Sequence, residues 1–261
     1  MNIVAESRWW TPQTIPSGHT ATLRLGTLEL RLNRSNHEWL LALEKTHEDE
    51  VAGTIHIANQ SPLGANALRY TYHDSSNLAL FRPALADRPV VIKPRQPVFV
   101  LPGQEAVFYI STPTWVAVCV GASQTVLREF PSERLSETWF GPNTIVGELS
   151  YAIATHARSH LSELPLRPYR VVTPVRIENR AETPLPMKKL SLPVPLLSIY
   201  GLANGSLWTE SVHMLRTTDS DMAMLNVESG PPSYAQGAAL LSKPRQADRT
   251  GLVRVFSDLF K

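Results

Sequence analysis

The sequence predicts an all-β protein: two sandwich-like halves of immunoglobulin-like character packed together, with a short C-terminal helix. Three observations predict it. Apolar residues recur at every second position through much of the chain, the period of a half-buried strand. Clusters of Pro, Gly and Asn separate these runs at the spacing of consecutive strands in a sandwich or barrel. The chain also carries 21 prolines, which argues against long helices because proline removes a backbone donor and clashes inside a helix.

The first element is the sharpest. Ala21, Leu23 and Leu25 alternate with polar residues, then the phase slips and Leu28, Leu30 and Leu32 alternate instead. A two-residue turn at Gly26-Thr27 explains the slip, since glycine at the first turn position suits a type II′ hairpin. That register pairs Leu25 with Leu28, Leu23 with Leu30 and Ala21 with Leu32, all on one face. Trp39, Leu41 and Leu43 then alternate inward, Ile55 and Ile57 form a short strand, and Leu68, Tyr70 and Tyr72 another. Val90 to Lys93 and Val98 to Leu101 are short apolar runs split by Pro94 and Pro97. Leu101-Pro102-Gly103-Gln104 reads as a turn. Ala106 to Ser111 follows, and Trp115 to Gly121 is apolar at almost every position, as a strand covered on both faces would be.

The boundary between halves falls between Gly121 and Arg128, giving domains 1–124 and 125–261 with no flexible linker between them. Thr125 to Phe130 is a strand, and Val171 to Glu178 alternates. Lys189 to Tyr200 is apolar but carries Pro193 and Pro195, which places it at a sheet edge or bulge. Asn204-Gly205 turns into Leu207 to Glu210. Val212 to Arg216 and Met222 to Val227 finish the strands, and Ser229 to Gln236 is a loop. Within 144–160, Leu149, Tyr151 and Ile153 alternate as in a strand, while Ile145, Leu149, Ile153, His156 and His160 also fit a helical stripe; the balance favours strand for the first part. Leu252, Phe256, Leu259 and Phe260 fall on one helical face, so Gly251 to Lys261 is expected to be a short helix.

Composition excludes several classes of function. Net charge is +2, too balanced to predict a nucleic-acid partner, and no basic run suggests a polybasic membrane patch. No apolar stretch is long enough to cross a membrane as a helix. Met1 to Arg8 does not read as a signal peptide, and the single cysteine fits a reducing compartment. A cytoplasmic location is therefore expected, and the sequons at Asn59 and Asn204 would go unused.

The second half carries a family resemblance. Ser132-Glu-Arg-Leu-Ser-Glu-Thr-Trp-Phe-Gly141 is followed by Gly147-Glu-Leu-Ser-Tyr151, Ala157-Arg158, Val172-Thr-Pro-Val175 and Ile177-Glu-Asn179. Leu192-Pro-Val-Pro-Leu-Leu-Ser-Ile-Tyr200 and Ser206-Leu-Trp-Thr-Glu-Ser211 come next. In that order they resemble domain of unknown function 432 of bacteria and archaea, as do Gly26 to Leu32, Glu38-Trp39, Ile92-Lys-Pro94 and Leu101-Pro-Gly103. The resemblance brings no catalytic residues. Its genes often lie beside those of small mechanosensitive channels of the MscS type, so it implies a membrane channel as one partner, by neighbourhood alone.

Residue by residue, the chemistry is sparse. Cys119 lies in an apolar run and reads as buried and unreactive. His156 and His160 have metal-ligand spacing on a helix, but no third ligand accompanies them, and on a strand they would lie roughly 13 Å apart. No metal or cofactor is expected. Asp49, Glu50, Asp219 and Asp221 sit in polar, turn-like stretches and read as solvated. No nucleophile elbow, P-loop or dinucleotide fingerprint occurs. Lys93-Pro-Arg-Gln96 recurs as Lys243-Pro-Arg-Gln246; two phosphate-contacting loops are weighed there against two unrelated exposed turns, and the turns are favoured. Trp9, Trp10, Trp139, Phe140 and Trp208 are the candidate interaction surface, because aromatic anchors mark binding sites. The competing expectation is that they cover the open ends of the sandwiches.

These features lead to a non-enzymatic interaction or accessory protein. A small-ligand or carbohydrate-binding module and an enzyme with a dispersed site are the alternatives.

Overall fold

The structure is a computed structural model that describes residues 8–59, 63, 66–73, 76–94, 98–142, 145–247, 250–254 and 256. The chain is nearly all β. Strands take 58% of it and helical turns 4%, with no helix of seven residues or more among the described residues, so the proline count has the meaning expected. The only helical segments among the described residues are single 3-10 turns at Leu161–Glu163, Val194–Leu196 and Ser233–Ala235.

Two compact units are present. The first gathers 1–84, 113–133 and 167–169; the second gathers 85–112, 134–166 and 170–261. In the first, Gln13–Thr14, Leu78–Ala84, Trp115–Val120 and Thr125–Pro131 form a four-stranded sheet in that order. Trp115–Val120 is central, and Val116 to Val120 are wholly buried, as an unbroken apolar run requires. The other sheet joins His19–Arg34, Glu38–Asn59 and Leu68–Thr71.

The hairpin expected at Gly26-Thr27 is not there. His19–Arg34 is one continuous strand of 16 residues, paired antiparallel with Glu38–Asn59, and its register shifts on both sides of Gly26. Ala21, Leu23, Leu25, Leu28, Leu30 and Leu32 are nevertheless all buried. A bulge changes the inward phase by one residue just as a turn does. Gly26 makes it possible: φ is +60°, and an added Cβ would stand 3.3 Å from the Tyr169 ring. Leu43, expected to face inward, is exposed.

Tyr169 is held in the first unit by its carbonyl, which accepts from the Thr114 N–H at 2.9 Å and from the Thr114 and Ser132 hydroxyls, each at 3.1 Å. Next to it, Trp9 Nε1 donates to the Pro168 carbonyl at 3.0 Å.

In the second unit, Arg170–Asn179 is the centre of an eight-stranded sheet ordered Ala239–Ser242, Ile199–Gly201, Leu207–Trp208, Arg170–Asn179, Val212–Arg216, Met222–Val227 and Thr250–Arg254; Gln104–Pro113 also pairs with Arg170–Asn179. The last strand takes up the first residues of the segment expected to be a C-terminal helix. Thr250–Arg254 pairs antiparallel with Met222 to Asn226, where partner strands reward extension more than one apolar stripe rewards a helical turn; residues 257–261 lie outside the described part. The turns at Pro102-Gly103 and Asn204-Gly205 are as expected. Gly103 has φ +72° and Gly205 φ +83°, and their loops close through Gln104 N–H to Leu101 O at 3.0 Å and Leu202 N–H to Ser206 O at 3.0 Å.

A four-stranded sheet completes this unit, ordered Ser136–Phe140, Glu148–Ala157, Val90–Pro94 and Leu190–Leu192. The ambiguous segment is thus a strand, and Leu190–Leu192 takes the edge position that Pro193 and Pro195 announce.

Candidate functional site

The four-stranded sheet sets the site by its register. Phe140 stands opposite Glu148 across the hairpin, and Ser191 stands opposite Val91 at the other edge. Alternation sends Phe140 and Glu148 to one face and their neighbours Trp139 and Leu149, also paired with each other, to the opposite one.

Over the first face lies a cleft of ≈ 450 Å³ lined by Pro89, Phe140, Val146, Gly147, Glu148, Ser191, Pro193, Pro195, Leu196, Met222, Gln246, Val253 and Arg254. All of these residues belong to the second unit. The walls are mostly apolar and include three prolines, whose rings hold their shape at little entropic cost. Four side chains bring polarity: Glu148, Ser191, Gln246 and Arg254. That is the usual make-up of a small-molecule site, in volume and in balance.

The loop from Gly141 to Gly147 needs its glycines. A Cβ on Gly147 would lie 2.6 Å from Trp139 Nε1 and 2.8 Å from the Phe140 carbonyl oxygen. The Trp139 indole therefore covers Gly147 from one side while Gly147 lines the cleft on the other.

Electrostatics single out Glu148. Its residue is reachable from solvent, but loss of water around the carboxyl pushes its pKa above the ordinary value, and the Ser191 hydroxyl, donating to Oε1 at 3.3 Å, pulls the other way. No basic side chain among the described residues is paired with it. Arg254 is different: its guanidinium meets Asp221 at 3.4 Å. Lys93 and Lys189 lie further along the sheet, across the register that pairs Ile92 with Leu190. Burial and then Lys93 lower the Lys189 pKa, and neither lysine contributes to the shift at Glu148.

The residues singled out by sequence are scattered. Trp9, Trp10, Phe140 and Trp208 are buried, and Trp139 alone of the five is exposed, at 45%. Trp9 and Trp10 pack edge to face at 5.6 Å in the first unit. Trp208 sits in a cluster with Tyr109, Leu164, Val172 and Ala235, donates to the Ser206 hydroxyl at 3.1 Å and stacks on Tyr234 at 6.2 Å. Trp9, Trp10 and Trp208 thus pack into cores, while Phe140 shows its ring to the cleft. Trp139 instead joins Ile145, Val146 and Leu149 as exposed apolar groups on one hairpin.

Cys119 is fully buried, and burial raises its pKa. The backbone of His156 is on a strand and His160 follows that strand, so the helical spacing does not arise; the His156 side chain lies outside the described residues. Among the described residues no group of three His, Cys, Asp or Glu is placed to hold a metal. Asp219 accepts from the Thr183 hydroxyl at 2.7 Å, and Asp221 pairs with Arg254; the side chains of Asp49 and Glu50 lie outside the described residues.

The two Lys-Pro-Arg-Gln strings have different surroundings. In the first, 95–97 lie outside the described residues. In the second, Arg245 Nε donates to the Leu85 carbonyl at 2.9 Å, and the Arg245 and Gln246 N–H groups both donate to the Pro195 carbonyl, at 2.9 and 3.0 Å. It pins Gln246 into the cleft wall.

Sequence reading missed Glu148, Ser191, Gln246 and Arg254 as a group. They come from separate strands and a loop, with no local spacing that could reveal them. The one signal was the proline-interrupted run Leu192 to Leu196, three of whose members line the cleft.

No helix among the described residues is long and apolar enough to cross a membrane. No curated protein and no solved structure matches the chain. A family model described as protein of unknown function (DUF432) matches residues 9–261. The resemblance carried by segments from Gly26 to Ser211 is thereby borne out over nearly the whole length, and the chain belongs to the DUF432 family.

Proposed function

We propose that this protein is a non-enzymatic binding module whose site is the proline-walled cleft of the second unit. The observation that carries the reading is the cleft itself: rigid apolar walls with a few converging polar groups, built on sheet strands. Binding is favoured over chemistry by the state of those groups. The Ser191 hydroxyl donates to Glu148, and Arg254 is occupied by Asp221; no third group among the described residues orients a nucleophile and base. Aromatic stacking of a sugar is not favoured, because among the described lining residues the only aromatic ring is Phe140.

Filling the cleft tests the reading. Leu196→Trp is expected to abolish small-ligand binding measured by calorimetry while leaving the far-UV circular dichroism unchanged. Unaltered binding by the filled variant would place the site elsewhere.

A second reading rests on a different observation. Ile145 is 91% exposed, beside exposed Trp139, Val146 and Leu149 on the same hairpin. Such a patch suits docking on another protein, and a membrane channel is the partner the family resemblance implies. Co-purification with wild type but not with Trp139→Ser/Ile145→Ser would support it; identical recovery by both would remove it.

A further inference from the structure

We infer that the cleft takes a small organic cation: an ammonium or guanidinium group on an apolar body, with the Glu148 carboxylate as its counter-charge. This rests on the cleft being the binding site and adds the class of ligand. The sign of the charge follows from which groups are already satisfied. Arg254 reaches the lining with its charge offset by Asp221 at 3.4 Å. Glu148 has only the neutral Ser191 hydroxyl, at 3.3 Å. Among the described residues the cleft thus presents one uncompensated charge, and it is negative.

Glu148 stays exposed, but its carboxyl borders the apolar cleft wall, where an ionised group without a cation is less well solvated than in open water. An incoming cation removes that cost and gains a charge-assisted hydrogen bond in a setting where such bonds are strong. Ser191 fixes one oxygen, Oε1, which leaves Oε2 to accept from the ligand. Pro89, Pro193, Pro195, Phe140 and Leu196 provide the apolar contact for its body. Flat proline and phenyl faces suit an aromatic or compact aliphatic group.

The raised pKa at Glu148 is consistent with this arrangement, since desolvation is its leading cause. A carboxyl kept ionised only at a cost is poised to gain from a cation.

Three probes with one body and different charge test the inference: phenethylammonium, phenethyl alcohol and phenylacetate, titrated by calorimetry at neutral pH against the full chain. Phenethylammonium is expected to bind at least 10-fold tighter than the alcohol and tighter still than phenylacetate. Glu148→Gln, which keeps size and the acceptor for Ser191, is expected to erase that preference and leave binding of the alcohol in place. Equal affinities for all three probes, or a preference for phenylacetate, would overturn the inference while leaving the cleft as the site. Absence of binding by all three would defeat both. The wild-type comparison involves no mutation, so loss of folding in the variant could not mask the result.

Discussion

Glu148 combines two effects that pH separates. Its folded-state pKa is raised by loss of solvent, so the ionised form is the one folding disfavours. The stabilising contribution is complete below the ordinary carboxylate pKa and is lost as pH rises through the folded value. Glu148→Gln should therefore raise the Tm at neutral pH, and the gap from wild type should close below about pH 4. Scanning calorimetry across that range checks the sign. A side chain that costs stability where it stands, yet faces a cleft, has the signature of a functional group. Tyr109 behaves similarly at the other end of the scale. Burial and its hydrogen bond to the Tyr234 hydroxyl, 2.6 Å away, push its pKa up to about 12. The neutral phenol is favoured on folding, so this contribution is full below about pH 10 and declines as pH rises toward 12. Tyr109→Phe should flatten the alkaline limb of the stability profile, read by thermal melts between pH 9 and 12.

At the scale of single elements, glycine decides two shapes. Gly26→Ala places a Cβ at φ +60° and 3.3 Å from the Tyr169 ring. A cost of about 1 kcal/mol or more is expected, a fall in Tm of roughly 2–4 °C for a chain of this size. Equal stability of the alanine variant would contradict the bulge. Gly147→Ala would meet both the Trp139 indole and the Phe140 backbone, so Trp139 must move. Its fluorescence should shift to the red as the ring leaves Gly147, and ligand affinity at the cleft should fall with it. The bulge also shows what sequence could and could not reveal. The phase slip between Leu25 and Leu28 correctly places six side chains in a core, because burial fixes parity. It does not tell a turn from a bulge, since both change parity by one. The same limit governed the C-terminus. Leu252 and Phe256 fit a helical stripe, while the strand there depends on Met222 to Asn226 being alongside, which no local pattern records. Where local chemistry is decisive, as at Pro102-Gly103, Asn204-Gly205 and the buried run Val116 to Val120, reading and structure agree.

For the whole molecule, the chain's path is what local reading cannot supply. The first unit takes in 113–133 and 167–169 long after its first segment ends. Those returns are specific: Thr125–Pro131 pairs with Trp115–Val120, and the Tyr169 carbonyl accepts three hydrogen bonds from Thr114 and Ser132. A fragment ending at residue 124 would leave one side of the Trp115–Val120 strand unpaired and lack Tyr169 against Gly26. It is expected to melt without cooperativity or to aggregate, as unpaired apolar edges do; a sharp, reversible melt of residues 1–124 would count against this account. The site has the same origin. Phe140, Glu148, Ser191, Gln246 and Arg254 come together only through sheet order and one loop, so the aromatic residues that stand out in sequence, Trp9, Trp10 and Trp208, turned out to fill cores instead.

The central claim is that the proline-walled cleft binds a small cation. Methyl NMR of the intact protein during a phenethylammonium titration tests it most directly, with Met222, Leu196, Val146 and Val253 as reporters around the cleft. Saturable shifts confined to these methyls, with a midpoint at least 10-fold higher in Glu148→Gln, are the predicted result. Saturable shifts centred on other methyls, or none at all, would contradict it.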